Sequence, residues 1–314
     1  MGALRLLAGL CLVAGMLGHA ALANDGRSYD KVSFYFAAHQ DDWQLFMNPS
    51  AFNDVAGTKT KAVFVHMTAG DAGSGIGTRG RRHPFYLARE NGAEAAIRFM
   101  ADNDGEPASK TAAHVRRNGH AIYRVSYRNT VSYFLRVPDG NPSGTGYYDT
   151  GFQSLRRLAA GDIDTLWAVD GSTAYHGWTD LAATLRAILD FERGAAPSLQ
   201  LNVAELDQRI NPGDHSDHLM TARAALDGVA GLGCARRVYY VDYASSRLPD
   251  NLTAKQRDLA SAVFAVTAAG IRDLGHGSNW HWYDQAYVGR NYFRVEEGSG
   301  RCDSPVPERS VARH

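Results

Sequence analysis

Cysteine is scarce in this chain, with three residues in 314. They stand at positions 11, 234 and 302, so no Cys-x-x-Cys pair and no ladder of cysteines and histidines exists. A structural zinc ribbon is excluded on that spacing. Net charge is also absent, since 33 basic residues balance 33 acidic ones. Nucleic acid is a poor partner for such a balance, because its phosphates demand a basic face. Repeats, low-complexity tracts and linkers are missing too, so nothing divides the body of the chain into several domains. The apolar run Leu6–Leu17 is shorter than the ~20 residues of a membrane-spanning helix.

That run follows one positive charge, Arg5, and is followed by the small-x-small end Ala21-Leu22-Ala23. This is the layout of a secretory signal cleaved after Ala23, which predicts a secreted or periplasmic protein with no stable membrane span. Cys11 leaves with the signal, as does Arg5, and 32 basic residues then face 33 acidic ones. The two remaining cysteines, Cys234 and Cys302, either form one disulfide tying the tail to the body or stay apart, and spacing does not decide between these. The expected organisation is a signal at 1–23, one domain at 24–296, and a loosely ordered Gly-, Ser-, Pro- and Arg-containing tail at 297–314.

What is present alternates. Val32–Ala37, Lys61–His66, Leu199–Val203 and Arg237–Tyr243 are β-branched and aromatic runs that read as buried strands. Pro84–Met100, Thr179–Arg193, Leu219–Val229 and Thr253–Ala269 carry apolar residues at helical spacing, and Ala121–Val137 reads as a hairpin. Alternation of this kind predicts an α/β fold: a Rossmann-like, mostly parallel sheet with helices on both faces. Sites in such sheets form at the carboxyl edge of the strands.

The chemistry-bearing residues fall at that edge. Directly after the first strand comes Ala38-His39-Gln40-Asp41-Asp42-Trp43, and after the Leu199–Val203 strand comes Asp214-His215-Ser216-Asp217-His218. Imidazole with carboxylate is the donor set of a Zn²⁺-like ion, and a second carboxylate beside it is free for proton transfer. Asp217 adjoins His218 and is able to orient a ring nitrogen, as metal-bound histidines require.

Together these segments resemble the PIG-L/LmbE-like deacetylases, zinc hydrolases acting on N-acetylglucosamine-type substrates. Ala38–Trp43 stands for the family's Ala-His-Pro-Asp-Asp-Glu, and His215–His218 for its His-Pro-Asp-His. Thr68-Ala69-Gly70-Asp71 is similar to its Thr-x-Gly-Asp/Glu loop, and Arg89 with Ala93–Ala96 to its Arg-x-x-Glu helix. The resemblance implies one Zn²⁺ per chain (Fe²⁺ being the alternative ion) held by His39, Asp42 and His218. It implies Asp41 as general base and His215 as the group that stabilises the oxyanion or protonates the leaving amine. The implied substrate is an amino sugar or glycoconjugate.

The departures are Gln40 and Ser216 in place of prolines, Trp43 in place of Glu, and Gly92 where the helix Glu belongs. Trp43 is a candidate sugar-stacking face, and Arg89 and Asp71 are further candidate substrate contacts. Three alternatives stand beside this reading. One is an amidase for another N-acyl compound, such as a lipid-linked or antibiotic glycoside. Another is a degenerate carbohydrate-binding homologue, and the third is a non-haem iron oxygenase, which the strand–helix alternation disfavours. The aromatic segment Trp280–Tyr283 either lines a saccharide cleft or covers the core. The stretches Gly70–His83 and Asp102–His120 read as long loops able to form a cleft or lid. His66, His83, His114, His120 and His176 read as structural.

Overall fold

The computed structural model describes residues 27–103, 105 and 108–302. The segment read as a secretory signal and the end of the tail, 303–314, lie outside the described residues.

Among the described residues ten strands and eight α-helices follow one another. They are β1 (Lys31–Ala37), α1 (Asp42–Phe46), α2 (Ser50–Ala56), β2 (Thr60–Thr68), α3 (Phe85–Ala101), β3 (Thr111–Arg117), β4 (His120–Tyr127), β5 (Thr130–Val137) and α4 (Leu155–Ala160). After these come β6 (Thr165–Trp167), β7 (Ala174–His176), α5 (Gly177–Arg193), β8 (Ser198–Ala204), α6 (Ser216–Gly228), β9 (Arg236–Tyr240), α7 (Ala254–Asp273), α8 (Trp280–Ala286) and β10 (Phe293–Glu296).

Eight strands make one sheet in the order β10-β9-β8-β1-β2-β5-β4-β3. Five of them, β9, β8, β1, β2 and β5, are parallel neighbours. Antiparallel β10 closes one edge, and β4 and β3 the other. The fold class is therefore the α/β, mostly parallel sheet that the alternation predicts. Its strands read as continuous apolar runs because both faces are covered. Val32, Phe34 and Phe36 of β1 join the core beneath α5 and α6, while Tyr35 and Ala37 join the core beneath α1, α3 and α7. No described helix is long and apolar enough to cross a membrane.

Two stretches depart from the sequence reading. Within the stretch read as a long loop or lid, Thr111–Arg117 forms β3, which pairs with β4 at the sheet edge. The first part of the tail is held, since Cys302 is disulfide-bonded to Cys234 and its N–H donates to the Pro197 carbonyl at 3.0 Å. Gly92, in α3, lies so close to α7 that a Cβ would come 2.6 Å from the Thr267 carbonyl oxygen. Helix packing explains the glycine where the resembled family has Glu.

Because β1, β2, β5, β8 and β9 run the same way, the loops after them share one edge. The chain leaves β1 for β2 on one side and returns to β8 on the other, so the β1/β8 border is a topological switch point.

Candidate metal centre

His39 follows β1 and His215–His218 begin α6 after β8, so the switch point brings together residues 179 positions apart in sequence. His39 Nδ1 lies 3.3 Å from His218 Nε2 and 3.4 Å from Asp42 Oδ1. The remaining side of the triangle, His218 Nε2 to Asp42 Oδ1, is 3.3 Å. A point equidistant from three such corners is about 1.9 Å from each, close to the roughly 2.0–2.1 Å of zinc–nitrogen and zinc–oxygen bonds. Two imidazole nitrogens and one carboxylate oxygen form a donor set that Zn²⁺ or Fe²⁺ accepts. The three residues fit a divalent ion, and they are the three that the resemblance implies.

Each donor is fixed by a second contact. Asp42 Oδ2 accepts the His39 backbone N–H at 2.7 Å, which leaves Oδ1 for the triangle. His218 Nδ1 donates to Asp214 Oδ1 at 2.9 Å and faces Asp242 Oδ2 at 3.2 Å, so its Nε2 is left bare. His39 Nε2 faces Asp217 at 3.7 Å and Asp139 at 3.8 Å. Thus Asp217 serves His39 rather than its sequence neighbour His218. Asp139 and Asp242 are functional candidates that motif reading missed, and Asp214, inside the second motif, was given no role. Asp139 and Asp242 each follow a sheet strand at the same edge, and that position is the signal that was available.

The charges in this pocket call for a cation. Burial alone would push the His39 imidazolium down, but the Asp42 carboxylate, helped by Asp217, raises it to about 10. Burial would likewise raise Asp42, yet His218 and His39 hold it well below the carboxylate range. His215 behaves in the opposite way: burial, then the charges of His39 and His218, push it down to about 2. Its Nδ1 accepts the Asp217 backbone N–H at 3.1 Å as the cap of α6, so the neutral ring carries its proton on Nε2.

Asp41 precedes α1 without a side-chain capping bond, and its Oδ1 forms an ion pair with Arg89 from α3. Arg89 also donates to the Gly70 carbonyl at 3.3 Å. Two sequence candidates do not reach the site surface. Trp43 is fully buried and packs on Phe64 with ring centroids 4.7 Å apart, so it offers no face to a sugar. Asp71 is also fully buried and accepts the backbone N–H groups of Asp139 and Gly75 at 2.9 and 2.7 Å. It orders the loops that carry Asp139.

An aromatic wall stands on the far side of His218. Tyr243 meets the His218 ring edge-on at 5.0 Å and stacks on Tyr287, which in turn meets Tyr283. The Trp280–Tyr283 segment divides its roles: Trp280 stacks on Phe264 over the core, while Trp282 is 69% exposed. The Gly70–His83 loop is stitched to the turn before α8, with Arg81 donating to the Gly275 carbonyl and His276 to that of His83, both at 2.7 Å.

No protein-family model and no curated protein sequence matches the chain. Among solved structures, N,N'-diacetylchitobiose deacetylase from Pyrococcus horikoshii, complexed with its inhibitor MPG, is similar over 86% of this chain and 84% of that one. The two are 14% identical with a TM-score of 0.45, a likeness too distant to bear on activity or substrate.

Proposed function

We propose that this protein is a secreted, zinc-dependent hydrolase that removes the acetyl group from an N-acetylated amino sugar. The observation that carries the reading is the His39–Asp42–His218 triangle with a carboxylate, Asp41, immediately before Asp42 in the chain. The motifs around Asp41 and His215 supply the choice of reaction. Secretion is part of the same proposal, and the Cys234–Cys302 disulfide supports it, because such bonds persist in oxidising compartments.

A divalent ion held by the triangle would polarise the amide carbonyl and lower the pKa of water toward ~7. Asp41 supplies the base. Arg89 pins its Oδ1, which leaves Oδ2 to take the proton of the attacking water and later return it to the departing amine. His215 presents an Nε2–H from a neutral ring and so stabilises developing negative charge by hydrogen bonding rather than as an imidazolium. The His39–Asp217–Asp139 and His218–Asp214–Asp242 contacts hold the two imidazoles in register with the reacting carbonyl.

The test is metal content together with acetate release from N-acetylglucosamine and its short oligomers, using the chain from Asn24 onward. One zinc per chain and acetate release are expected. Asp41→Asn should keep the metal and lose two or more decades of rate, the range of a general base. Zinc without acetate from any of these sugars would move the reaction to another N-acyl compound. A chain that binds no metal would sink the reading.

A further inference from the structure

The loop that carries Asp139 leaves β5 through an irregularity. Between His66 and Thr68 of β2 the partners on β5 run from Phe134 to Val137, so β5 holds one residue more than its neighbour there. An extra residue of this kind reverses the faces of the side chains that follow it and is a means of re-aiming one of them. Arg136 sits in the irregularity with a φ of +58°, a conformation that glycine adopts freely and arginine does not. What the arginine brings there is its guanidinium.

That group is buried between two carboxylates. Its Nε and one terminal nitrogen donate to the two oxygens of Glu90, each at 2.7 Å, and the other terminal nitrogen donates to Asp170 at 2.6 Å. It also lies over the Tyr123 ring at 4.7 Å. A bidentate pair of this geometry fixes direction as well as distance. Glu90 follows Arg89 in α3, and Arg89 holds Asp41. Arg136 stands shortly before Asp139, whose carboxylate faces His39 Nε2 at 3.8 Å. One helix therefore reaches both flanks of the triangle: Asp41 through Arg89, and Asp139 through Glu90 and Arg136.

The connection from Arg136 to Asp139 is tied down along its length. The Arg136 carbonyl accepts the Val169 N–H at 2.8 Å, and the Val137 carbonyl accepts that of Ala69 at 2.7 Å. Beyond them the Asp139 N–H donates to Asp71 and the Gly140 N–H to Asp217, at 2.9 and 2.8 Å. Little slack remains between the guanidinium and the Asp139 carboxylate.

We propose that Arg136, held by Glu90, is a positioning residue for Asp139 and through it for His39, so that the orientation of one imidazole of the triangle is set from α3. Its consequence for metal binding rests on the reading of the triangle as a divalent-ion site.

Two measurements test this. The first is hydrogen exchange on the metal-free protein, read amide by amide. Arg136→Gly keeps the backbone conformation and removes the guanidinium, so Asp139, Gly140 and Asn141 should lose protection while the amides of β8 keep theirs. Glu90→Gln, which leaves an acceptor for Arg136, should give the same pattern more weakly, and it serves if Arg136→Gly does not fold. The second is zinc affinity by competition with a chelator. It should fall about tenfold in Arg136→Gly, and no further when the same change is added to Asp139→Asn. Unchanged protection at 139–141, or a loss spread evenly over the sheet, overturns the proposal, and so does an equal fall in affinity with and without Asp139. If the native chain binds no zinc but protection at 139–141 depends on Arg136, the metal reading fails and the positioning stands. If zinc binds and neither affinity nor protection responds to Arg136→Gly, the metal reading stands and the positioning fails.

Discussion

Single side chains here are set by what lies on both sides of them. His218 offers one nitrogen to the triangle because two carboxylates, Asp214 and Asp242, compete for the other. Asp214→Asn should therefore weaken metal binding by about tenfold, the low end of the range for such contacts, since Asp242 remains. Competition against a chelator of known affinity measures it. His66 is buried and stacked face to face on Phe134 at 4.6 Å, and burial pushes its imidazole down to about 4. The unfolded chain titrates near 6.5, so the stability held by the neutral ring is complete above pH 6.5 and is lost as pH falls toward 4. Replacing it, His66→Phe, should remove up to about 3 kcal/mol of the acid-induced loss, as urea midpoints at pH 7 and 4.5 would show. Sequence found the triangle because its members sit in two dense motifs. It did not find Asp139 or Asp242, which are lone acids two residues beyond a strand. It misplaced Trp43 because a tryptophan beside a motif looks the same whether its ring turns outward or into the Phe64 core.

At the level of elements, the helix layer over the site depends on close approach. A Cβ at Gly270 would lie 2.8 Å from Gly92 Cα, so α3 and α7 meet backbone to backbone. Gly92→Ala should cost about 1–3 kcal/mol by overpacking, read as a lower melting temperature, even though alanine is the better helix former. The elements legible in advance were those with strong apolar periods. The edge strand β3, Thr111–Arg117, was not, because it is largely exposed and pairs on one side alone. Strand β10 is four residues long and half exposed, and α1 has five residues, too few to show a period. Gln40 and Ser216 became intelligible only in the fold. Gln40 ties the end of β1 to the Thr68 and Ala69 carbonyls at 2.9 and 3.2 Å, and Ser216 donates its N–H to the Pro142 carbonyl at 3.0 Å, a bond a proline cannot make.

For the whole molecule, the Cys234–Cys302 disulfide closes a loop spanning 68 positions and pins the end of the described chain beside β8. Replacing both cysteines by alanine should lower unfolding stability by about 2–4 kcal/mol through the entropy regained by the unfolded chain. Urea denaturation measures that cost, while metal content should be unchanged, because the bond lies away from the triangle. Such a dissociation of stability from the site is the expected behaviour of a sheet whose parallel strands gather chemistry at one edge.

The three residues of the triangle are divided between the beginning of the chain and its last third, beyond strands that become neighbours only when β8 docks against β1. A polypeptide interrupted before His218 carries two of the three residues and has no means of completing the set. Capture of the proposed ion by all three residues is therefore a receipt for finished assembly: it is expected to follow the pairing of β8 with β1, and a metal titration during refolding would time that pairing.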